Sequence, residues 1–301
     1  MKERLEYLAV SGLVTILGAL PRHLARKMGA GVGWVAFRAL PRLRLVGQRN
    51  LGLAFPELSL RERDGILRRL YRNLGWLTAE FCKMPKYTPE STKSIARYEG
   101  LEHYLAARDA GKGVLILTGH LGAWELSSFY HSLMGYPMSI VIRRLDNPVV
   151  DRLVNGIRCL HGNRVLHKDD FARGLLSTVR NGETVGILMD TNMTPPQGVF
   201  VDFFGRLACT ASGMARVALK TGGTVLPGFM VWEQAEHKYV LRFGEPLDLV
   251  RTGNDDADAV VNTALFTRTI EEYVRRYPDQ WLWVHRRWKT RPEGETAVYT
   301  S

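Results

Sequence analysis

The arrangement of hydrophobic positions changes near residue 113 of the chain. Before that point apolar residues recur at helical spacing, most clearly over 57–84, where leucines and isoleucines are often three or four positions apart. After it, short continuous apolar runs alternate with helical patterns. We predict strands over 113–118, 138–143 and 185–189, helices over 122–134, 148–161, 169–181, 210–221 and 257–276, and a hairpin formed by 224–232 and 238–243.

Continuous apolar runs bounded by glycine are typical of strands that are buried on both faces. Their alternation with helices predicts an α/β fold whose mixed, largely parallel sheet is flanked by helices. No fixed-period repeat is present, which argues against a solenoid. We expect one main domain over 45–291 and a flexible polar tail over 292–301.

The region 1–44 contains two apolar runs, Leu5–Leu20 and Met28–Leu40, which are each shorter than the roughly 20 residues of a perpendicular transmembrane helix. Arginines and lysines follow both runs, and no A-x-A cleavage pattern is present. Apolar segments followed by cations are typical of an anchor on the cytoplasmic side of an anionic membrane. We therefore predict an N-terminal membrane-associating helical region, either interfacial or spanning. The alternative is an ordinary buried helical hairpin.

The charge of the chain favours an acidic partner. Its 41 Lys+Arg against 30 Asp+Glu give a formal net charge of +11. Nucleic acid, anionic lipid headgroups and an acidic protein all fit this excess. Cys82, Cys159 and Cys209 are far apart in the sequence, which argues against a disulfide framework and favours a reducing compartment.

The strongest candidate for chemistry lies where the predicted strand 113–118 ends. There His120 stands between Gly119 and Gly122, in a turn that leads into the helix carrying Glu125. We expect the Glu125 carboxylate to reach back to one ring nitrogen of His120, leaving the other nitrogen as a general base. Such a pair suits a substrate that brings its own nucleophile, such as an alcohol. The alternative is an incidental histidine at a strand end.

Several segments resemble one known family. The run 119–126 resembles the His-x4-Asp/Glu motif of the glycerolipid acyltransferases, and in particular of the late lipid A acyltransferases of the HtrB type. The segments 143–148, 198–210 and 278–289 are similar to further motifs of that family, as are Arg158 and Asp190 by position. These segments fall within residues 45–290. One departure concerns Asp190, which is followed by Thr191 and Asn192 where the family usually carries glutamine.

The resemblance implies a glycerolipid-acyltransferase-like fold and an O-acyltransferase. In such an enzyme His120, with Glu125, would take the proton of an acceptor hydroxyl that attacks an acyl thioester. The acyl donor would be a thioester of acyl carrier protein or of CoA. The acceptor would be a membrane lipid, with a lipid A precursor as the first candidate, and the reaction would take place at the cytoplasmic face of a bacterial inner membrane. No cofactor or metal is implied. The candidate substrate-binding residues are Arg143, Arg144, Asn147, Arg158, Asp190, Arg206, Arg286 and Arg287.

Alternatives remain at each level. The acceptor could instead be a lysophospholipid or a glycolipid mannoside. A non-catalytic basic binder of anionic lipid would explain the charge, but it gives His120 and Glu125 no role. Binding to nucleic acid is disfavoured because the cations are scattered along the chain and no recognition motif is present. For each candidate arginine, the alternative is an ordinary charged residue on the surface without a role in binding substrate. The tryptophans of 281–288 fit either a core or a membrane belt, and Phe200, Phe203 and Phe204 fit either an acyl pocket or the core.

Overall fold

The computed structural model describes residues 1–167 and 171–299. Its strands are β1 (Ala96–Glu99), β2 (Val114–Thr118), β3 (Ser139–Ile142), β4 (Arg164–His167), β5 (Thr184–Leu188), β6 (Gly198–Phe203), β7 (Arg206–Ala211), β8 (Thr224–Glu233) and β9 (Lys238–Phe243). Its helices are α1 (Lys2–Ala19), α2 (Arg22–Ala39), α3 (Pro41–Ala54), α4 (Leu60–Lys83), α5 (Pro89–Thr92), α6 (Leu101–Asp109), α7 (Trp124–Leu133), α8 (Pro148–Arg158), α9 (Phe171–Arg180), α10 (Gly213–Thr221) and α11 (Asp255–Arg276). Two 3-10 helices cover Met84–Lys86 and Pro278–Gln280.

Seven strands form the main sheet in the order β1-β9-β8-β2-β5-β3-β4. All neighbouring pairs are parallel except β8 and β9, which form the predicted antiparallel hairpin. β2 lies between β5 and β8 and is buried on both faces, as its continuous apolar run predicts. The prediction of an α/β fold with a mixed, largely parallel sheet is therefore confirmed.

Helices cover both faces of this sheet. On one face, Leu175 of α9, Ala215 of α10 and Phe266 of α11 belong to one core cluster with Leu115 and Leu117 of β2. On the other face, Tyr104 of α6 and Phe129 of α7 belong to a second cluster with Val114 and Ile116. Successive side chains of β2 thus point to opposite faces of the sheet. The β2–α7 turn follows the carboxyl end of this strand and therefore lies at the carboxyl edge of the sheet, between two packed layers.

Some elements differ from the predictions. The strands β1 and β4 and the helix α6 are additional, and the segment 198–211 forms the separate hairpin β6–β7. The predicted helix 210–221 begins only at Gly213 because Arg206–Ala211 belongs to that hairpin. The predicted helix 169–181 begins partly outside the described residues, and its described part starts at Phe171.

The N-terminal helices pack against the main domain through one face. Gly29 and Gly33 of α2 let its backbone lie directly on α4, since a Cβ at either position would overlap a backbone carbonyl of Gly75 or Tyr71. Arg22 of α2 also forms an ion pair with the fully buried Glu80 of α4, at 2.6 Å. The division at 44/45 stays a prediction, but α2 and α4 share a continuous packed interface.

The opposite face of these helices is apolar and exposed. Within the described residues most of the exposed large hydrophobic side chains lie on or between α1, α2 and α3, among them Leu5, Leu8, Ile16, Leu24, Met28, Val32, Trp34, Val35, Leu43 and Leu45. In residues 1–167 and 171–299 no helix combines the length and the apolar composition that crossing a membrane requires. One face of the predicted anchor is thus packed against protein, and the other is open.

The aromatic residues near the C-terminus belong to the core. Trp281, Trp283 and Trp288 are at most 1% exposed, and Phe203 packs against both Trp281 and Trp288. Of the two alternatives for the tryptophans, the structure shows the core. Residues of the predicted tail pack here as well: Val298 is buried, and the Tyr299 hydroxyl donates to Asn50 at 2.7 Å.

Candidate active site

The turn between β2 and α7 presents His120 at the carboxyl edge of the sheet. Gly122 has a φ of +63°, and a Cβ there would overlap the carbonyl oxygen of Met230 in β8. The backbone N–H of Ala123 donates to that same carbonyl at 2.8 Å. Glycine is therefore required at 122 for the close approach of the turn to β8, which sets where His120 lies.

Asp190, which follows β5, holds His120 in two ways. Its Oδ2 accepts from the backbone N–H of His120 at 2.7 Å, and its Oδ1 lies 2.8 Å from the ring Nδ1. The side chain of Asp190 is 2% exposed, whereas that of His120 is 25% exposed. Gly119 leaves room for this carboxylate, since a Cβ there would lie 3.0 Å from its Cγ. Asp190 is thus the buried partner that orients the accessible imidazole.

The electrostatics of the pair fix the tautomer of His120. Burial alone would raise the pKa of Asp190, but the charge of His120 and the hydrogen bonds from His120 and Trp281 lower it to about 2. An ionised carboxylate only accepts, so Nδ1 carries the proton and Nε2 of the neutral ring has a free lone pair. Burial would lower the pKa of His120, but the charge of Asp190 and its hydrogen bond outweigh that effect, so the pKa is raised.

Glu125 does not make the contact that the sequence predicts. Its Oε2 accepts from Nε of Arg158 at 2.8 Å and its Oε1 from Nη2 at 2.5 Å, so both oxygens are used by one guanidinium. The prediction of a hydrogen bond between Glu125 and the His120 ring is therefore wrong. Asp190 is the partner of Nδ1, and both carboxylate oxygens of Glu125 accept from Arg158. The charge of Glu125 still contributes to raising the pKa of His120. The catalytic role of Glu125 stays a prediction.

The C-terminal segment 280–283 braces the histidine turn from the other side. The carbonyl of Gln280 accepts from Gly122 N–H at 2.9 Å, and Leu282 N–H donates to the carbonyl of His120 at 3.0 Å. The Trp281 indole N–H donates to Oδ2 of Asp190 at 2.8 Å. The sequence of this segment resembles a motif of the acyltransferase family, but it does not predict the contact with His120. A 3-10 helix followed by an extended stretch carries no local pattern that indicates which residues it will contact.

Arg287 lies beside this site but inside the protein. It is 0% exposed, and its Nη1 donates to the carbonyls of Thr191 and Cys209, while Nη2 donates to Oγ1 of Thr210. Burial lowers its pKa to about 10. The guanidinium holds the backbone that follows Asp190 against β7. This placement corrects the expectation that Arg287 meets substrate directly.

Asn147 also has a structural position. Its Oδ1 caps α8 by accepting from Val149 and Val150, and its Nδ2 donates to the carbonyl of Glu3 and to Oε2 of Glu6, both in α1. The predicted substrate contact of Asn147 is thereby replaced by a link between α8 and α1. That link places the N-terminal helix beside the loop that leads into α8.

The remaining candidate arginines are exposed. Arg143 pairs with Asp146 at 3.1 Å, Arg206 lies at the turn of the β6–β7 hairpin, and Arg144 and Arg286 are solvent-facing. The structure brings together His120, Asp190, Glu125 and Arg158, but it does not gather these four arginines around them. Their role in binding substrate stays a prediction.

Thr191 and Asn192 follow Asp190 where the resembling family usually carries glutamine, and Asn192 takes part in contacts with the C-terminal segment. Its backbone N–H donates to Nε2 of His285 at 3.0 Å, and its side chain exchanges two hydrogen bonds with Thr290. These bonds join the loop after Asp190 to the C-terminal segment. The departure in sequence therefore coincides with a structural joint behind the site.

An apolar pocket opens beside His120. The Trp124 ring packs edge-on against the His120 ring, with centroids 5.2 Å apart, and also lines the pocket. The walls come from α7 and from the strands of the sheet, where Gly186 and Gly228 allow the side chains of Met138 and Ile116 to pack close to the backbone. Glu125 and Arg158 lie in its wall. Its lining offers apolar contacts of the kind that a hydrocarbon chain makes.

The fold thus places a partly exposed imidazole at the carboxyl edge of an α/β sheet, next to an apolar pocket. Comparison with known proteins gives the class. A family model described as bacterial lipid A biosynthesis acyltransferase matches residues 2–290. The chain is an acyltransferase, and it belongs to the bacterial lipid A biosynthesis acyltransferase family.

Individual relatives agree with this assignment. The chain is 29% identical to the lipid A biosynthesis lauroyltransferase of Escherichia coli over 298 residues, which cover 96% of this chain and 92% of that protein. It is 27% identical to the lipid A biosynthesis palmitoleoyltransferase of the same organism, over 96% of this chain and 92% of the relative. Identity to its lipid A biosynthesis myristoyltransferase is 26%, over 83% and 76% respectively. The names of these relatives state three different acyl groups.

Proposed function

We propose that the protein transfers a fatty acyl chain from an acyl thioester, carried by acyl carrier protein or CoA, to a hydroxyl of a lipid A precursor, with His120 as the general base. The observation that carries this proposal is the geometry of His120: Asp190 lies 2.8 Å from Nδ1, and the His120 side chain, which is 25% exposed, packs against Trp124 in the wall of an apolar pocket.

In the proposed reaction Nε2 of His120 accepts the proton of the acceptor hydroxyl. The hydroxyl oxygen forms a bond to the thioester carbonyl carbon, and the tetrahedral intermediate collapses as the carbon–sulfur bond breaks. The imidazolium then returns the proton to the departing thiolate. Asp190 stabilises the imidazolium and keeps the ring in its orientation.

Arg158 is the proposed donor of positive charge to the reacting centre, and Glu125 is the residue that positions it. The bidentate pair fixes the plane of the guanidinium, and the side chains are only 13% and 20% exposed. A hydrogen-bond donor that is fixed beforehand stabilises a developing oxyanion without reorganisation. In this arrangement the His-x4-Glu motif supplies a base from its first residue and a positioning group from its last.

The proposal also places the enzyme at the inner membrane, on its cytoplasmic face. The open apolar face of α1–α3 carries Trp34, which is 58% exposed, with the Arg38 guanidinium 3.7 Å over its ring. Apolar side chains with arginines among them suit an interface with anionic lipid. Through Asn147, α1 adjoins α8, the helix that carries Arg158, so a lipid acceptor would meet the site from this side.

The test uses the purified protein with lauroyl, myristoyl or palmitoyl thioesters, each on acyl carrier protein and on CoA, and a lipid A precursor. Mass spectrometry of the product identifies donor and acceptor together. We expect an acylated precursor from the parent and a turnover lower by roughly 10²–10⁴ from His120→Ala, the range for loss of a general base.

Replacing the precursor by a lysophospholipid or a glycolipid mannoside tests the alternative acceptors. Acylation of one of those lipids, with none of the precursor, would contradict the proposed acceptor. Thioester consumption that is equal in the parent and in His120→Ala would contradict the role of His120 and favour a basic lipid binder.

A further inference from the structure

The buried carboxylate of Asp190 has a third hydrogen-bond donor whose role the proposed reaction leaves open. The first two donors, the backbone N–H and the ring of His120, belong to one residue. The third is the indole N–H of Trp281, which donates to Oδ2 at 2.8 Å. Among the residues that the structure describes, Trp281 is therefore the one hydrogen-bond donor that connects this carboxylate to a part of the fold other than the histidine it orients.

Trp281 is held in place independently of its indole N–H. It is 1% exposed and packs edge-on against the rings of Phe203 and Trp283, with centroids 5.5 and 4.6 Å away. Its backbone pairs with that of Leu121 as an isolated antiparallel bridge. A donor whose position is fixed by packing and by its backbone can fix the position of the group that it bonds.

The residue before it fastens the same segment to the sheet. The side-chain amide of Gln280 accepts from the backbone N–H of Trp232 in β8 at 2.8 Å and donates to the carbonyl of Trp232 at 3.0 Å. β8 lies next to β2, the strand that leads into the turn of His120. The indole N–H of Trp281 therefore belongs to a segment that is attached to the sheet and not only to the histidine turn.

The same hydrogen bond draws on the negative charge of Asp190. Burial opposes ionisation of this carboxyl group, whereas the charge and hydrogen bonds of His120 and the bond from Trp281 favour it, so that its pKa is about 2. An ionised carboxylate only accepts, and each donor stabilises its charge. A carboxylate that shares its charge with a second donor attracts the imidazolium of His120 less strongly than it would without that donor.

Other titratable groups face the pair from the surrounding elements. Burial lowers the pKa of His120, and the charges of Asp190 and, after it, of Glu125 in α7 raise it. His285 and Arg287 of the C-terminal segment also lie within electrostatic reach of Asp190. The indole N–H donates to the Asp190 carboxylate, so it acts on the histidine through that group.

We propose that Trp281 is a positioning residue of the reaction, which acts on His120 through Asp190. Its indole N–H holds the carboxylate in place relative to the sheet and limits how strongly that carboxylate attracts the proton of the imidazolium. The inference rests on the role of His120 as the base under Proposed function. In that reaction the imidazolium returns its proton to the departing thiolate, so a carboxylate that holds the imidazolium less tightly favours the second proton transfer.

Trp281→Phe tests this role, because phenylalanine keeps an aromatic ring in the core but has no N–H. The pH dependence of kcat is measured with saturating lauroyl donor and lipid A precursor. The pKa of His120 is measured separately by NMR titration of the histidine rings, with its signal identified from its absence in His120→Ala. We expect both midpoints to rise by about 0.5–1 pH unit, within the spread of histidine pKa values in folded proteins, because Asp190 then stabilises the imidazolium more strongly.

Trp283→Phe is the matched control. Trp283 is 0% exposed and its indole N–H donates to the carbonyl of Pro278 at 2.6 Å, so this substitution removes a similar ring and one indole hydrogen bond without changing the contacts of Asp190. We expect its midpoints to match those of the parent. In the Asp190→Asn background, Trp281→Phe is expected to cause no further rise, because the charge through which the indole acts is absent.

Replacing Trp281 by benzothienylalanine covers the case in which Trp281→Phe does not fold, since this amino acid keeps the two fused rings and carries sulfur in place of the N–H. The same rise is expected. Midpoints like those of the parent in the folded variant would overturn the inference, as would an equal rise in Trp283→Phe or in the Asp190→Asn background. Absence of acyl transfer by the parent would instead reject the proposed function, whereas the NMR titration tests the effect of Trp281 on His120 independently of turnover.

Discussion

Asp190 and Arg158 are the residues that set the properties of the two sides of the site. Asp190 accepts from the backbone and the ring of His120 and from the indole of Trp281, so one buried carboxylate determines the position, tautomer and pKa of the proposed base. Arg158 is held by both oxygens of Glu125 and by Oδ1 of Asn155. Each charged group is therefore fixed by at least two contacts before any substrate arrives, which is the arrangement that electrostatic stabilisation requires.

Arg158→Lys tests the second of these residues. Lysine keeps the charge but cannot form the bidentate pair with Glu125, so we expect kcat/KM to fall by at least about tenfold, in line with the loss of a hydrogen bond between charged groups. Steady-state kinetics distinguishes two roles. An equal fall in kcat and kcat/KM indicates stabilisation of the transition state, whereas a raised KM with unchanged kcat indicates uniform binding of a substrate.

The control for this change is Arg152→Lys, which lies on the same helix with an exposed side chain. We expect it to match the parent in both kinetic parameters. Parent-like kinetics in Arg158→Lys would show that the bidentate guanidinium takes no part in the reaction.

At the scale of elements, the β2–α7 turn depends on three neighbours that are distant in sequence. β8 supplies the Met230 carbonyl, the loop after β5 supplies Asp190, and the segment 280–283 supplies backbone donors and acceptors. Because all three meet at one turn, a shift of any of them moves His120. The turn is the place where the packing of the fold and the chemistry of the site are most directly connected.

Gly122→Ala tests this dependence. The backbone at 122 has positive φ, and a Cβ would also overlap the Met230 carbonyl, so we expect a loss of stability of about 1–3 kcal/mol from overpacking beyond the cost of the left-handed conformation, together with lower turnover. Thermal unfolding and turnover are measured on the same preparations.

Gly111→Ala is the matched control, because Gly111 has a similar φ of +70° but nothing within 4 Å of the added Cβ. It is expected to lose about 1 kcal/mol and to keep its turnover. Equal losses in both variants would show that the close approach to β8 does not position His120.

The sequence predicted those elements whose pattern is complete in itself. Val114–Thr118 is a continuous apolar run between glycines, and β8 and β9 are two apolar runs joined by a short turn, so their hairpin could be assigned from its own residues. β4 was missed because Arg164–His167 is short and mixed in polarity, and its parallel pairing with β3 depends on the whole sheet. Local pattern therefore determined the element types, but it did not determine the strand order.

The same limit explains the error at the site. Glu125 was assigned to His120 because it is close in sequence, whereas Asp190 is 70 residues away and reaches the ring only because β5 lies next to β2 in the sheet. His120 and Asp190 each follow a strand that the sequence predicted, so the missing information was the order of those strands in the sheet. Once two parallel strands are known to be neighbours, polar residues at their carboxyl ends are expected to meet.

At the scale of the whole molecule, the helices α1–α3 combine a packed face with an open apolar one. The packed face contains the close contact of Gly29 with α4 and the buried pair of Arg22 with Glu80. The open face holds exposed leucines, isoleucine and tryptophan. The proposed membrane surface is thus rigidly attached to the domain that carries His120, so binding to lipid would also orient the site.

Substitution of the open face tests its role without disturbing the packed one. Leu5, Leu8 and Ile16 of α1 are 56–63% exposed, and replacing all three by serine is expected to weaken binding to anionic vesicles at least about tenfold, because apolar area is no longer buried in the lipid. Binding is measured by cosedimentation with phosphatidylglycerol vesicles at two salt concentrations.

Val260→Ser with Val261→Ser is the control, since these exposed valines lie on α11, away from the N-terminal helices. We expect it to bind vesicles like the parent. Unchanged binding of the α1 triple variant at both salt concentrations would place the membrane-binding surface elsewhere.

The central claim is that His120 is the base and that Asp190 sets its properties, and the pH dependence of kcat in the parent and in Asp190→Asn tests it most directly. In the parent the rate is expected to rise with pH as His120 loses its proton, with a midpoint above the usual histidine value of 6.5, because Asp190 raises that pKa. Asparagine removes the charge, so desolvation by burial is less opposed: the midpoint should move to lower pH, and the maximal rate should fall by about 10²–10⁴. A folded Asp190→Asn protein with the midpoint and maximal rate of the parent would contradict the account.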